Sequence, residues 1–235
     1  MRIILLNGPP RCGKDTVSAI LKEHSPSFVH QEKFALPMKI VTPLVYSVTL
    51  SHWKEHLDTA ENKDLACSEF FGKTPREVQI ALSEEYLKPL HGKTIFGKLL
   101  SRRLNMVLGG MLDCVVISDS GFLEEALEVI NTFGAENIQL WRIHREGCDF
   151  SKDSRNYIQL KEHGVEEYLV PNHGSLDDLR DIVVPLYEAH VLPRDGSGDE
   201  LESIESWNSR RKMAAQIAFE DWPTLRIKRI EAETA

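Results

Sequence analysis

The chain has no apolar run near the roughly 18 residues that a membrane-crossing helix requires, and no signal-peptide pattern precedes its first apolar segment. A soluble, cytoplasmic protein is the expectation. Cysteine is sparse: Cys12, Cys67, Cys114 and Cys148 lie far apart with no C-x-x-C pair, which argues against both a zinc site and a disulfide framework and suits a reducing compartment. Positive charge is also short. With 28 Lys and Arg against 36 Asp and Glu, the net charge is −8, which speaks against a general nucleic-acid binder. There are no internal repeats. At 235 residues the chain suffices for one α/β domain with a full core.

What is present begins at once. Ile3 to Leu6 reads as a short buried strand. It breaks at Gly8-Pro9-Pro10, and a helix carrying Val17, Ile20 and Leu21 on one face starts near Gly13. Between them stands Gly8-x-x-x-x-Gly13-Lys14, a phosphate-binding loop with Asp15-Thr16 where the pattern asks for Ser or Thr first. Glycines let successive N–H groups point at one anion, and the helix adds its positive dipole end. Lys14 suits β- and γ-phosphates as a point charge. Asp15 has two readings: a Mg²⁺ ligand, direct or through water, or a helix cap that leaves the hydroxyl role to Thr16. Cys12, in an anion-binding loop beside Lys14, should have a lowered pKa, although a small residue that fits the loop is the simpler reading.

Further strands are expected at Phe28-Val29-His30, Cys114 to Asp119, Asn137 to Ile143 and Tyr168 to Pro171, with helices between them. That alternation predicts an α/β fold with a parallel sheet covered on both faces, with ligands at the carboxyl ends of the strands. A helix is expected over about 40–56. Within it His52-x-x-x-His56 has metal-ligand spacing, though packed or exposed histidines explain it more simply. Thr74-Pro75-Arg76-Glu77 is a well-formed helix start. A helix over about 95–108 closes at Gly109-Gly110. Residues 194–199 read as a linker, and Leu201, Ile204, Trp207, Ala214 and Ile217 mark an appended amphipathic helix.

Three more features carry chemistry. Asp119, at a strand end opposite the phosphate loop, is read as a magnesium-organising carboxylate in preference to a turn or cap residue before the helix at Phe122. Arg142, Arg145, Lys152 and Arg155 form a basic loop, either a lid over a migrating phosphoryl group or plain surface charge. Arg76 opens a helix in the insertion between strands, where a bidentate guanidinium would suit an acceptor's monophosphate.

Gly8-x-x-x-x-Gly13-Lys14-Asp15-Thr16, Phe34-Ala35-x-Pro37-x-Lys39, Thr74-Pro75-Arg76, Val116-Ile117-Ser118-Asp119 with Glu124-Glu125-Ala126, and Asn172-x-Gly174-Ser175-Leu176 are together similar to the phage deoxynucleoside monophosphate kinases. The resemblance spans about 1–187 and makes Asp15 an expected residue. It implies a P-loop NTPase fold of the NMP-kinase kind over 1–193, with a five-stranded parallel sheet, an acceptor-binding helical insertion at about 34–110 and a mobile lid at about 144–158. The implied reaction moves the γ-phosphoryl of ATP, with Mg²⁺, to a deoxynucleoside 5′-monophosphate. The partners are these small molecules, with no nucleic acid or membrane, and a homodimer is an open state. By position, Gly8, Arg11, Cys12, Gly13, Lys14, Asp15 and Thr16 would hold ATP. Lys39, Arg76, Gln79, Lys88 and Asp119 would face the acceptor. Lys14, Arg145 and Arg155 would be catalytic, and Asp15 and Asp119 would serve the metal. Asp119-Ser120-Gly121-Phe122 lacks the family's arginine after the Asp, and Ser83-Glu84-Glu85 replaces a usual Gly-Thr-Glu, so the acceptor's base stays open. Another P-loop kinase of a phosphorylated metabolite, or a non-catalytic nucleotide-binding module, are the alternatives.

Overall fold

A computed structural model describes residues 1–26, 28–108, 114–151 and 153–191. Gly109-Gly110, Lys152 and the expected extension over 194–235 lie outside the described residues. The five expected strands form: β1 (Arg2–Asn7), β2 (Val29–Glu32), β3 (Cys114–Ser120), β4 (Ile138–His144) and β5 (Glu166–Pro171). All pairings are parallel, in the order β2-β3-β1-β4-β5. The chain leaves β1 for the β2 side and returns later to the β4 side, so the crevice beyond the end of β1 is the switch point where α/β sheets place ligands.

Period-two alternation assigns the two faces. Ile3 and Leu5 of β1 join Val115, Ile117 and Leu140 in one buried cluster, and Ile4 and Leu6 join Val116, Trp141 and Ile143 in the other. Helices α1 (Lys14–His24) and α8 (Leu176–His190) cover the second face; α6 (Ile95–Leu108) and α7 (Leu123–Phe133) cover the first. Gly97 permits the close approach of α6 to α7, because a Cβ there would meet Glu125 O at 2.6 Å and Glu128 Cβ at 2.7 Å. Strands buried from both sides read as continuous apolar runs, which is why β1 and β3 were plain in the sequence.

The segment between β2 and β3 holds α2 (Leu36–Val45), α3 (Leu50–His52), α4 (Pro75–Ile80) and α5 (Lys88–His91). Trp53, Leu57, Phe70 and Val78 give it a small core of its own. α6 belongs instead to the main core, so the expected insertion of 34–110 divides before it. The expected helix over 40–56 is broken. α2 ends at Val45, Ser47 turns left-handed with φ 57°, and Thr49 caps α3 by accepting from His52 N. The start at Thr74 is the reciprocal capping box its residues specify. α4 runs into a π-helical stretch, Ala81–Leu87, and then into α5. Pro89 has no N–H to give, and the widened turn carries the helix past it to Gly92.

His52 and His56 place their rings 5.1 Å apart and His52 Nε2 lies 3.0 Å from Glu69 Oε1. Among the described residues no group of three or more His, Cys, Asp or Glu could hold a metal, and no helix is long and apolar enough to cross a membrane.

Candidate active site

The loop from Gly8 to Gly13 links the central strand to α1. Gly13 has φ +106°, left-handed backbone that disfavours any side chain, and a Cβ there would collide with Asn172 Nδ2. Gly8 is needed for space: a Cβ would lie 2.6 Å from both Cys12 Sγ and Ile143 O. Asn172, just past β5, fastens the loop by donating from Nδ2 to Cys12 O at 2.8 Å. Gly13 provides no side-chain cap for α1, so the first-turn N–H groups at Lys14, Asp15 and Thr16 lack intrahelical acceptors and point out of the helix end. Lys14 Nζ donates to Gly8 O and Pro9 O, each at 2.6 Å, and burial lowers its pKa. Cys12 corrects an expectation: burial raises its thiol pKa, and Lys14, whose Nζ sits 3.7 Å from the sulfur, does not reverse it.

Lys14 opens onto a cleft of about 420 Å³ at the carboxyl end of the sheet, lined by seven cationic and six acidic side chains. This concentration in an acidic protein matters, because it collects cations where two anionic groups could meet. Asp15 Oδ1 accepts from Lys33 Nζ at 2.7 Å and from Ser118 Oγ at 2.8 Å. Burial pushes that carboxyl up, but Lys33 and Ser118 outweigh it and the pKa falls below the usual value. Lys39 pairs with Asp58, Arg76 Nε with Asp64 Oδ1 at 2.5 Å, and Arg155 with both oxygens of Asp153 at 2.8 and 2.5 Å. Lys63 stands near Lys39 and Arg76; burial and then the Arg76 charge lower its pKa. Asp64 and Asp58, held by Arg76 and Lys39, offset part of that charge, and three cations against two carboxylates leave a net positive pole that suits an anion.

The cleft brings together Arg11, Lys14, Asp15, Lys39, Arg76, Gln79, Asp119 and Arg155 from among the expected residues. Gly8, Cys12 and Gly13 shape the loop without lining the cleft, and Thr16, in the first turn of α1, does not line it either. Arg145 is exposed and also off the cleft wall, and Arg142 is committed to Glu167 Oε2 at 2.9 Å. Lys88 stands behind the wall: its Nζ binds Glu84 Oε1 at 2.7 Å and lies 3.7 Å from the centre of the Phe122 ring. Asp119 uses both oxygens on backbone, accepting from Phe34 N at 2.8 Å and Ala35 N at 2.9 Å. It therefore clamps the approach to α2.

A Mg²⁺ site can be tested against these donors. Mg²⁺ keeps several waters and takes one or two carboxylates plus substrate phosphates. Asp15 fits, with Oδ2 taking no hydrogen bond among the described residues, whereas Asp119 is already occupied by two amides.

The expected lid is anchored along its second half. Asn7, buried at the end of β1, donates from Nδ2 to Ser120 O and Asn156 O, both at 3.0 Å, and accepts from Ile158 N at 3.1 Å. Asn156 N also donates to Gly121 O. Gly121 leaves room for Arg155: a Cβ there would meet its Cβ, Cγ and Cδ at 2.6–2.7 Å. The cleft residues that the sequence did not signal are Lys33, Lys63, Glu125, Asp58 and Asp153. Only Glu125 fell inside a noted motif, Glu124-Glu125-Ala126.

No family model and no curated protein matches the chain. Among solved structures, an unliganded sugar kinase from Janibacter sp. HTCC2649 superposes with a TM-score of 0.44 at 6% identity, over 82% of this chain and 96% of that one. At that score the likeness fixes neither fold family nor activity. The chain is an α/β protein with a five-stranded, all-parallel sheet flanked by helices.

Proposed function

We propose that this chain is an ATP-dependent phosphotransferase that phosphorylates deoxynucleoside 5′-monophosphates. The observation that carries the reading is one cleft with two cationic poles. Lys14 and the uncapped start of α1 form the first, and Lys39, Lys63 and Arg76 form the second. A donor polyphosphate suits the first pole and an acceptor monophosphate the second. The deoxynucleotide identity of the acceptor rests on the resemblance of the motifs.

On this reading the protein acts by positioning and charge neutralisation. Lys14 leaves the carbonyls of Gly8 and Pro9 for phosphate oxygens. Arg76 and Lys39 orient the acceptor phosphate, which is already anionic at neutral pH and needs no general base. Arg155, held over the cleft by Asp153 and by the space at Gly121, neutralises charge on the migrating group. Asp15 would hold Mg²⁺, which when bound neutralises the donor phosphates.

A coupled assay of ATP consumption against a panel of dNMPs and NMPs tests the proposal. Turnover with at least one dNMP is expected. Turnover only with another class of phosphorylated acceptor sinks the deoxynucleotide reading, and tight ATP binding without turnover favours a non-catalytic module.

A further inference from the structure

One side chain on the cleft wall has no assigned work. Glu125, in the first turn of α7, lines the cleft yet is only 3% exposed. Among the described residues no hydrogen bond reaches its carboxyl group, and its nearest cation, Lys88 Nζ, is 3.6 Å away. Lys88 is nearer to Glu84, at 2.7 Å. Buried carboxyl groups normally have close partners, and one whose nearest cation is shared and stands at 3.6 Å calls for an explanation. Burial raises this carboxyl to about 8; Lys88 opposes the rise, and Asp119 adds to it. Burial thus favours the acid form of the group, which offers an O–H donor beside a carbonyl acceptor.

Its surroundings limit what could answer that pair. Met38, Phe96 and Phe122 line the same cleft. They favour a flat ring over a polyol, whose hydroxyls would be left unmatched against them. Gln79 and Ser83, on the neighbouring helix, add polar groups at the rim. We infer that Glu125 is a specificity-determining residue that holds the non-phosphate end of the acceptor, and that it binds the edge of a heterocycle presenting a donor and an acceptor side by side. A nucleobase presents such an edge in the plane of a flat ring; an isoprenoid has none, and a phosphorylated sugar offers hydroxyl donors and acceptors but no flat ring for Phe96 and Phe122. The inference rests on the reading of this cleft as the site of phosphoryl transfer.

Glu125→Gln and Glu125→Leu separate an edge contact from a packing role. An amide keeps a donor and an acceptor in one plane, while leucine keeps the bulk and removes both. For wild type and both variants, kcat and KM are measured over the four dNMPs and ribose 5-phosphate, together with ATP KM. The rise in melting temperature on adding each dNMP without ATP provides a readout independent of turnover. Glu125→Gln should stay within about threefold of the wild-type KM for the preferred dNMP, and Glu125→Leu should raise it about tenfold or more, the loss of two neutral hydrogen bonds. With leucine the ratio between the best and worst base should shrink while ATP KM stays unchanged. Unchanged base ratios in Glu125→Leu overturn the inference. So does equal damage by both variants, which would make Glu125 a charge partner of Lys88. Wild-type turnover of ribose 5-phosphate but of no dNMP overturns the inference and leaves phosphotransfer standing. Wild type that neither turns over nor is stabilised by any dNMP overturns both.

Discussion

Stability measured against pH should carry the signature of Glu125. Its carboxyl is raised from an ordinary 4.5 to about 8, first by burial and then by the neighbouring charges of Asp119 and Glu84, with Lys88 pulling the other way. In the unfolded chain the same group releases its proton near the ordinary value. Between the two pKa values the folded protein holds a proton that the unfolded chain has lost. The unfolding free energy therefore falls as pH rises, by about 1.4 kcal/mol per pH unit. Below the unfolded value both states are protonated, and the group favours neither. Above about 8 both are ionised, and the accumulated penalty reaches roughly 5 kcal/mol as an upper bound. Glutamine has no proton to lose, so Glu125→Gln should remove this slope. Urea unfolding of wild type and variant across about pH 4 to 9 gives the difference directly, and other titrating groups cancel in it. The variant's advantage should be flat at the acid end, grow by at least about 2 kcal/mol between pH 5 and 8, and level off above. Parallel curves would refute the reasoning, because they would mean that Glu125 is ionised in the folded state and held by Lys88.

Lys14→Ala should lower kcat by about 10² or more, as for loss of one preorganised charge contact, while circular dichroism stays native; near-normal turnover would remove the loop from the chemistry. Arg76→Ala should chiefly raise the acceptor KM and change stability by less than about 1 kcal/mol, since its partner Asp64 is exposed; an effect on ATP affinity alone would misplace the second pole. Gly13→Ala puts a side chain at φ +106° and against Asn172, so urea unfolding should show a loss of about 1–3 kcal/mol and nucleotide stabilisation should vanish. Cys12, buried and with its thiol raised, should react with iodoacetamide at pH 7.5 far more slowly than an unfolded-chain cysteine; rapid alkylation traced to Cys12 by mass spectrometry would contradict that environment.

The parts of this molecule that were legible in the sequence are those written locally. β1 and β3 show as apolar runs because helices bury them from both faces. Thr74-Pro75-Arg76-Glu77 shows because a capping box is four adjacent residues making bonds to one another. The break at Ser47 is local but unsigned: serine is not the residue that a left-handed turn advertises, and tertiary packing of Tyr46 on Phe70 stands beside it. Cys12 was misjudged because the motif argument counted the charge of Lys14 and not the depth of the loop. Lys33, Lys63 and Glu125 had no local signal that set them apart. Lys33 meets Asp15 across 18 residues of sequence, and Arg155 was distinguished from Arg145 only by the space at Gly121, which comes from a different strand end.

The pairing of the cleft's cations bears on how such a site could work in a protein of net charge −8. Lys33, Lys39, Arg76 and Arg155 each already hold a carboxylate. Breaking a buried ion pair without replacement costs about 3–5 kcal/mol, which bears on the enclosed pair of Arg155 and Asp153, whereas the exposed pairs of Lys33 and Arg76 are worth about 1 kcal/mol or less. On the proposed reading, phosphate oxygens take the place of those carboxylates, so each cation exchanges one anionic partner for another. The net gain per exchange is small, and that is consistent with substrates that must bind and leave at every turnover. It also gives Asp15 two successive roles. While Lys33 is its partner, its Oδ1 is used by protein; once Lys33 turns to a phosphate, the carboxylate regains acceptor capacity beside the donor polyphosphate, where a hydrated Mg²⁺ needs it. On that reading the aspartate that interrupts the motif after Lys14 would let one position serve a lysine in one state and a metal in the next, which a serine hydroxyl, lacking charge, would do poorly for the lysine.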